Sequence, residues 1–347
     1  MARSYDMTKG SIWKNILCFS IPIMVSNLIQ STYNAVDMLF VGRFTGTESL
    51  AAVSVCGPIM NVMIITLSGM SAGVLVVISS LLGAGENRQA RDAAHTSLAL
   101  YAIMAAVLTL VGLAFTPQLL LAVQTPLSAM PEAKRYLYTV FAGMSFSFGY
   151  NLIGALQQAQ GNATASMSFV LISSIVNILL DAVLIVGLHM GALGAALGTV
   201  LAQFVAFCVG AVQFTHGNTV LQISLGEVRF HKKHLKNILL FGVPTAANEV
   251  MVNLAMLTVS GVANSFGLAS SAAYGVGSRI NSLAIFMDGA MNQTLSAYAS
   301  QNIGAKNKKR ALTGLWKAIA ISVSMALVSS LTVLVFAEDF AACFDAN

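Results

Sequence analysis

Apolar residues in this chain come in blocks of roughly 20 or more, the length at which an α-helix crosses the hydrocarbon core of a bilayer. Tyr101–Phe115 contains no charge, and neither does Phe169–Leu180. Strands of an outer-membrane barrel would alternate in tracts of about ten residues, and these segments do not. Lipid therefore selects helices, because a helix satisfies its own backbone hydrogen bonds. With 9% charged and 56% hydrophobic residues, the chain has too little polar surface for a soluble fold. The sequence predicts an all-α, polytopic membrane protein. Nine membrane helices are expected at about 12–41, 50–82, 93–115, 132–158, 164–188, 192–214, 236–264, 271–300 and 312–336.

The net charge of +5 is a topology signal. Arg3, Lys9 and Lys14 open the chain, and later clusters are Arg88/Arg91, Arg229/Lys232/Lys233/Lys236 and Lys306/Lys308/Lys309/Arg310. The intervening loops offer Arg43 and the pair Lys134/Arg135. This asymmetry puts the N-terminus in the cytoplasm and the protein in the inner (plasma) membrane, with lipid as its surroundings and no nucleic-acid partner. Cys18, Cys56, Cys208 and Cys343 stand singly, without the spacing of a zinc site or a disulfide framework. The first apolar segment is too long for a signal-peptide core and reads as a retained helix.

The chain repeats itself. Lys14-Asn15-Ile16-Leu17-x-Phe19-x-Ile21-Pro22 recurs from Lys236 to Pro244, an offset of 222, and Gly83-Ala84 recurs as Gly304-Ala305, an offset of 221. Six helices separate the copies, and an even number keeps both in one orientation. The expected organisation is a six-helix lobe over 1–216, a cytoplasmic linker over 217–235 and a partial lobe of three helices over 236–347. Such parallel repeats place a site between or within the lobes.

Polar residues at membrane depth are costly and tend to mark function. Asn27, Gln30, Asn34 and Asp37 fall on one stripe of the first helix, as do Ser173, Asn177 and Asp181 on the fifth and Thr199 and Gln203 on the sixth. Two acids, an amide and a hydroxyl on three helices suit a hard cation such as Na+, or a proton shared between carboxylates. The blander alternative is a hydrogen-bond network that only ties helices together. In the seventh helix Thr245, Glu249 and Asn253 form a similar stripe, and the eighth holds Arg279, Asn281, Asp288 and Asn292. Pro22 and Pro244 lie inside helices, where each removes a backbone hydrogen bond and permits a bend; Pro22 is the candidate hinge. Gly69-Met-Ser71-Ala-Gly73 matches the GxSxG elbow of serine hydrolases, but that elbow needs a preceding strand, and this match lies mid-helix. Ser71 as a nucleophile is the one enzymatic alternative, and it is weak. No enzyme activity and no cofactor are expected.

Ser20-Ile-Pro22, Asn27-Leu-Ile-Gln30, Tyr33-Asn34-Ala-Val-Asp37 and Phe40-Val-Gly42-Arg43 together resemble the opening of the multidrug and toxic compound extrusion (MATE) family. Asn177-Ile-Leu-Leu-Asp181, Gly191-Ala-Leu-Gly194-Ala-Ala and the two Gly-Ala closures resemble it as well. The resemblance implies two lobes around a cavity that opens alternately to either side. It implies export of mostly cationic small organic molecules in exchange for Na+ or H+, by a chain expected to act as a monomer. Residues matching the ion-coupling set of the DinF-like branch are Asp37, Asn177, Asp181 and Thr199. Glu249 matches an acid of the NorM-like branch, so the branch stays open. Cavity or cargo contacts are expected at Asn27, Gln30, Asn34, Gln203, Glu249 and Asn253. A lipid-linked oligosaccharide flippase of the same superfamily is the alternative, although the first lobe lacks the deep cations a pyrophosphate would need. Asn347 corresponds by the repeat to about Pro126, so the natural gene is expected to continue for roughly 100 residues with three further helices.

Overall fold

The computed structural model describes residues 6–216, 220–222, 226 and 228–335, with side chains described except at 268–273, 275–276, 279–287 and 332–333. Arg279 and Asn281 thus lie outside the described side chains, as does part of the expected linker. The elements are α1 (Ile12–Phe44), α2 (Thr47–Gly83), α3 (Asn87–Ala122), α4 (Met130–Ala142), α5 (Met144–Ala159), α6 (Ala163–Asp181), a π-helical turn (Ala182–Gly187), α7 (Gly191–His216), α8 (Lys232–Ser265), α9 (Leu268–Gly304) and α10 (Lys308–Val335). Counting α4/α5 as one bent rod and the π turn as the end of α6, nine rods form among the described residues, where the sequence predicts them.

Two rods differ in detail from the expectation. The helix expected at 132–158 bends by 50° at Gly143. Gly143 is where Val200 of α7 presses in, its Cβ 3.0 Å from where a glycine Cβ would stand, so a straight helix bearing a side chain would not fit. The helix expected at 164–188 ends in the π turn, which opens directly after Asp181. By length and hydropathy, seven helices and the bent pair suit a membrane crossing among the described residues. The rod outside that set is α9, which carries Arg279, Asp288, Asn292, Gln301 and Asn302.

The core of the first lobe is apolar and dense. Tyr101 and Phe148 meet edge to face with centroids 5.8 Å apart, among the fully buried Phe19, Ile78, Leu137, Leu152 and Leu156. Outward faces remain apolar, with Leu39, Leu110 and Leu121 all exposed, as lipid requires.

Between the lobes, small residues let backbones touch. A Cβ on Gly73 would lie 2.9 Å from the backbone nitrogen of Gly242, and one on Gly69 would lie 2.6 Å from that of Ala246. The glycines of the GxSxG match therefore seat α8 against α2, and Ser71 instead bonds the Tyr101 hydroxyl at 2.9 Å. Nothing there resembles a strand–turn–helix elbow.

At one end of the bundle the repeated glycines cross. Gly83 abuts the backbone of Gln301, and Gly304 abuts that of Ser80. Residues 80 and 301 are themselves repeat partners, so the contact is two-fold symmetric, as a parallel repeat demands. The N-terminal segment lies across this end. Arg310 donates to the carbonyl of Lys9 at 2.8 Å and to that of Met7 at 3.3 Å, Asn302 donates to Met7 at 3.2 Å, and Met7 is fully buried. The basic clusters gather at this same end.

Candidate functional site

Helices α1, α6 and α7 converge in the first lobe on a cluster of polar groups. The stripe of α6 faces protein throughout: Ser173, Asn177 and Asp181 are 5%, 1% and 0% exposed. Asp37 of α1 is half-buried, and its carboxyl lies within hydrogen-bonding reach of that of Asp181. Two carboxylates cannot bond each other without a proton or cation between them, since both only accept. Among the described residues no donor stands in their place. Asp37 Oδ1, both carboxylate oxygens of Asp181 and both amide atoms of Asn177 are buried with no hydrogen-bond partner. Such orphaned groups are expensive in a membrane interior and point to a small bound species. A network that merely tied helices together would have satisfied them.

The neighbouring helix makes room. A Cβ on Gly198 of α7 would collide with Asp181 Oδ1 and stand 3.5 Å from Asn177 Nδ2. Thr199, the expected hydroxyl ligand, is the next residue along and is half-buried. Gln203, one turn further, has its carbonyl oxygen taken by the Ser147 hydroxyl of α5, which fixes it within the lobe. The π turn begins as soon as Asp181 has been placed, and such turns recur at functional positions.

The remainder of the α1 stripe looks outward from this cluster. Gln30 and Asn34 are exposed, and Asn27 lies near α9, its amide nitrogen 3.9 Å from where a Gly289 Cβ would stand. On α8, Glu249 is half-buried, its backbone carbonyl accepting from Asn253 at 2.8 Å. Asn253 in turn accepts from Asn61 of α2 at 3.3 Å, across the seam between the lobes. The structure thus brings Asp37, Asn177 and Asp181 together, with Thr199 beside them, and leaves Glu249 and Asn253 in a separate group. Pro22 lies within an unbroken α1, its carbonyl held by the Ser26 hydroxyl at 2.7 Å.

Two residues beside the acids escape sequence reasoning. Tyr33 of α1 and Tyr136 of α4 both lie close enough to Asp37 and Asp181 to interact with their charge. Tyr33 falls one residue short of the Asn34 stripe, and Tyr136 follows Lys134/Arg135 in what reads as a loop margin. Among the described residues no three His, Cys, Asp or Glu side chains gather as a transition-metal site. Two carboxyls, an amide and a hydroxyl instead suit Na+ or H+.

Known proteins resemble this chain in sequence and fold. The Probable multidrug resistance proteins YpnP and YoeA of Bacillus subtilis (strain 168) are 27% and 28% identical to this chain, over 89% of it and 69% of each relative. A solved structure described as the outward-facing conformation of a multidrug resistance MATE family transporter of the MOP superfamily superposes with a TM-score of 0.92. It is 26% identical, and the match covers 99% of this chain and 76% of that one. The MatE family profile matches residues 22–183 and again 244–347, each match opening at the repeated proline. With the profile covering most of both lobes, the chain belongs to the MatE family of membrane transporters.

Proposed function

We propose that this chain is a secondary active antiporter that exports organic, mostly cationic, compounds in exchange for Na+ or H+. Asp37, Asn177, Asp181 and Thr199 hold the coupling ion in the first lobe. The observation that carries the reading is the set of buried, unpartnered oxygens on Asp37 and Asp181, two acids facing each other in a transporter of this family. One ion between them neutralises both, and its departure restores their repulsion; that difference is what can bias α1 between two shapes. Asn27, Gln30 and Asn34, lying toward the seam between the lobes, line the cargo path, with Glu249 attracting cationic cargo from α8. The relatives named for multidrug resistance support this cargo class.

In this reading the end gathered by the basic clusters faces the cytoplasm, the membrane is the plasma membrane, and the protein works as a monomer without enzymatic activity. The test is efflux of an organic cation from proteoliposomes under imposed sodium or proton gradients. Export that follows one gradient and stops in Asp37→Asn supports the proposal; export indifferent to both gradients sinks it. Asp181→Asn should match Asp37→Asn, and the double variant should be no worse than either, because both acids share one ion.

A further inference from the structure

We propose that the cleft between the start of α3 and the chain entering α8 binds the phosphate of an anionic phospholipid headgroup. Around a cavity of about 750 Å3 stand Arg88, Arg91, Asp92 and His95 from α3, and Arg229 and His231 from the chain leading into α8. Three guanidinium groups share this lining with one carboxylate. Among the described residues the ion pairs are Lys9–Asp6 and Arg135–Glu132, and neither involves any of the three arginines. Like charges gathered on one cleft repel, and an anion with several acceptor oxygens removes that repulsion. A guanidinium fork suits phosphate, offering paired N–H donors.

The walls are held by contacts that need no ligand. Arg91 Nε donates to the carbonyl of Val220 at 2.8 Å. The Thr96 hydroxyl donates to the carbonyl of Asp92 at 2.7 Å, with that of Arg229 a longer 3.3 Å away, and accepts from the backbone N–H of His231 at 3.2 Å. Arg88 and Arg229 are exposed, which leaves their charged ends available to a ligand. Two features favour a lipid over a soluble phosphate. The cleft lies where polar chain gives way to the apolar spans of α3 and α8, the level of the headgroups. Beside it stand Phe230 and Val220, 46% and 45% exposed, apolar surface that an acyl chain covers. Basic pockets at this level of a membrane protein are suited to anionic headgroups.

The inference does not depend on the transport reading, and its test does not use transport. The full chain in neutral detergent is titrated with phosphatidylglycerol or phosphatidylcholine, and bound lipid is read by native mass spectrometry. Phosphatidylglycerol should bind saturably at one per chain, and Arg88→Gln with Arg229→Gln should weaken it about tenfold while phosphatidylcholine is unaffected. Arg88→Lys with Arg229→Lys should retain part of the affinity. An unchanged melting temperature without added lipid shows that the variants fold; Arg91 is left intact because it holds Val220. Equal binding of phosphatidylglycerol by the glutamine variant and the parent would overturn the site. Equal retention of phosphatidylcholine would overturn it too. Full displacement by millimolar inorganic phosphate would overturn the assignment to lipid in favour of a soluble phosphate.

Discussion

Helices α1 and α8 are repeat partners that share an opening and a proline but little beyond it. Past Pro22, α1 presents Asn27, Gln30, Asn34 and Asp37; at the matching positions past Pro244, α8 presents Glu249, Val252, Met256 and Val259. The repeat kept the frame and one polar position, and changed three of four. Their surroundings differ in the same sense. In α1 the acid meets Asp181 of α6 within the first lobe, while on α8 it is Asn253, one turn past Glu249, that bonds Asn61 of α2 between the lobes. A repeated frame thus carries different polar residues on its two proline-bearing helices, and the facing pair Asp37 and Asp181 belongs to the first.

The sharpest way to break this comparison is to move the acid. Asp37→Asn should lower gradient-driven export at least about a hundredfold, on the order of 3 kcal/mol, with membrane insertion intact. Adding Val259→Asp to that variant should not restore export, because Val259 on α8 lies outside the cluster of α1, α6 and α7 that holds Asn177 and Asp181. Restored proteoliposome efflux would mean the lobes are interchangeable.

The two seams differ as well, and stability reads the difference. Gly73→Ala pushes a methyl group into the backbone of α8, at Ile238 and Gly242, and should cost about 1–3 kcal/mol. Its repeat partner Thr294 already carries a side chain, so Thr294→Ala should cost less, about 1 kcal/mol, mostly the bond to the Ala290 carbonyl at 2.7 Å. Thermal unfolding in detergent ranks the two, and equal losses would make the seams alike.

Smaller effects are expected at the prolines. Pro22→Ala should slow turnover several-fold while ion binding changes little, since it stiffens the helix that carries Asp37. Pro244→Ala, on a helix without an ion site, should change turnover by less than about twofold. Equal slowing in both would leave each proline a static kink. The smallest change should come from Glu249→Gln, with cationic cargo bound about two- to threefold more weakly and neutral cargo unchanged. Equal losses for charged and neutral cargo, measured by fluorescence titration, would remove Glu249 from charge recognition.

Much of this was legible because membrane helices advertise themselves by period and composition. Asp37, Asn177 and Asp181 stood out since a 3.6-residue stripe of polar groups has no reason to exist against lipid. The doubled Lys-Asn-Ile-Leu motif stands just before each of the two segments that the MatE profile matches. What stayed hidden depends on which helix packs where. Gly198 looks like any small packing residue until Asp181 is found against it. Tyr136 lies near the acids because α4 packs it against Val41, Ile185 and Ala195, which come from other elements. The six-residue π turn after Asp181 leaves no mark in the sequence, and Met7 becomes a buried anchor only once Arg310 and Asn302 reach it from the far end of the chain. Gln203 shared a stripe with Thr199, yet its partner on α5 sets its role, and no periodicity within α7 reveals that.

The crossing of Gly83 and Gly304 has a mechanical side. Each glycine meets main chain, so no side chain interlocks there, and the two long helices can roll on each other without a rotamer change. The contact sits at one end of α2, which has 37 residues and spans about 55 Å. A tilt of about 10° about that end would carry the opposite end of α2 through about 10 Å. A bare backbone contact also parts cleanly. Splaying the lobes at the far end would keep this contact, whereas splaying them at this end would break it.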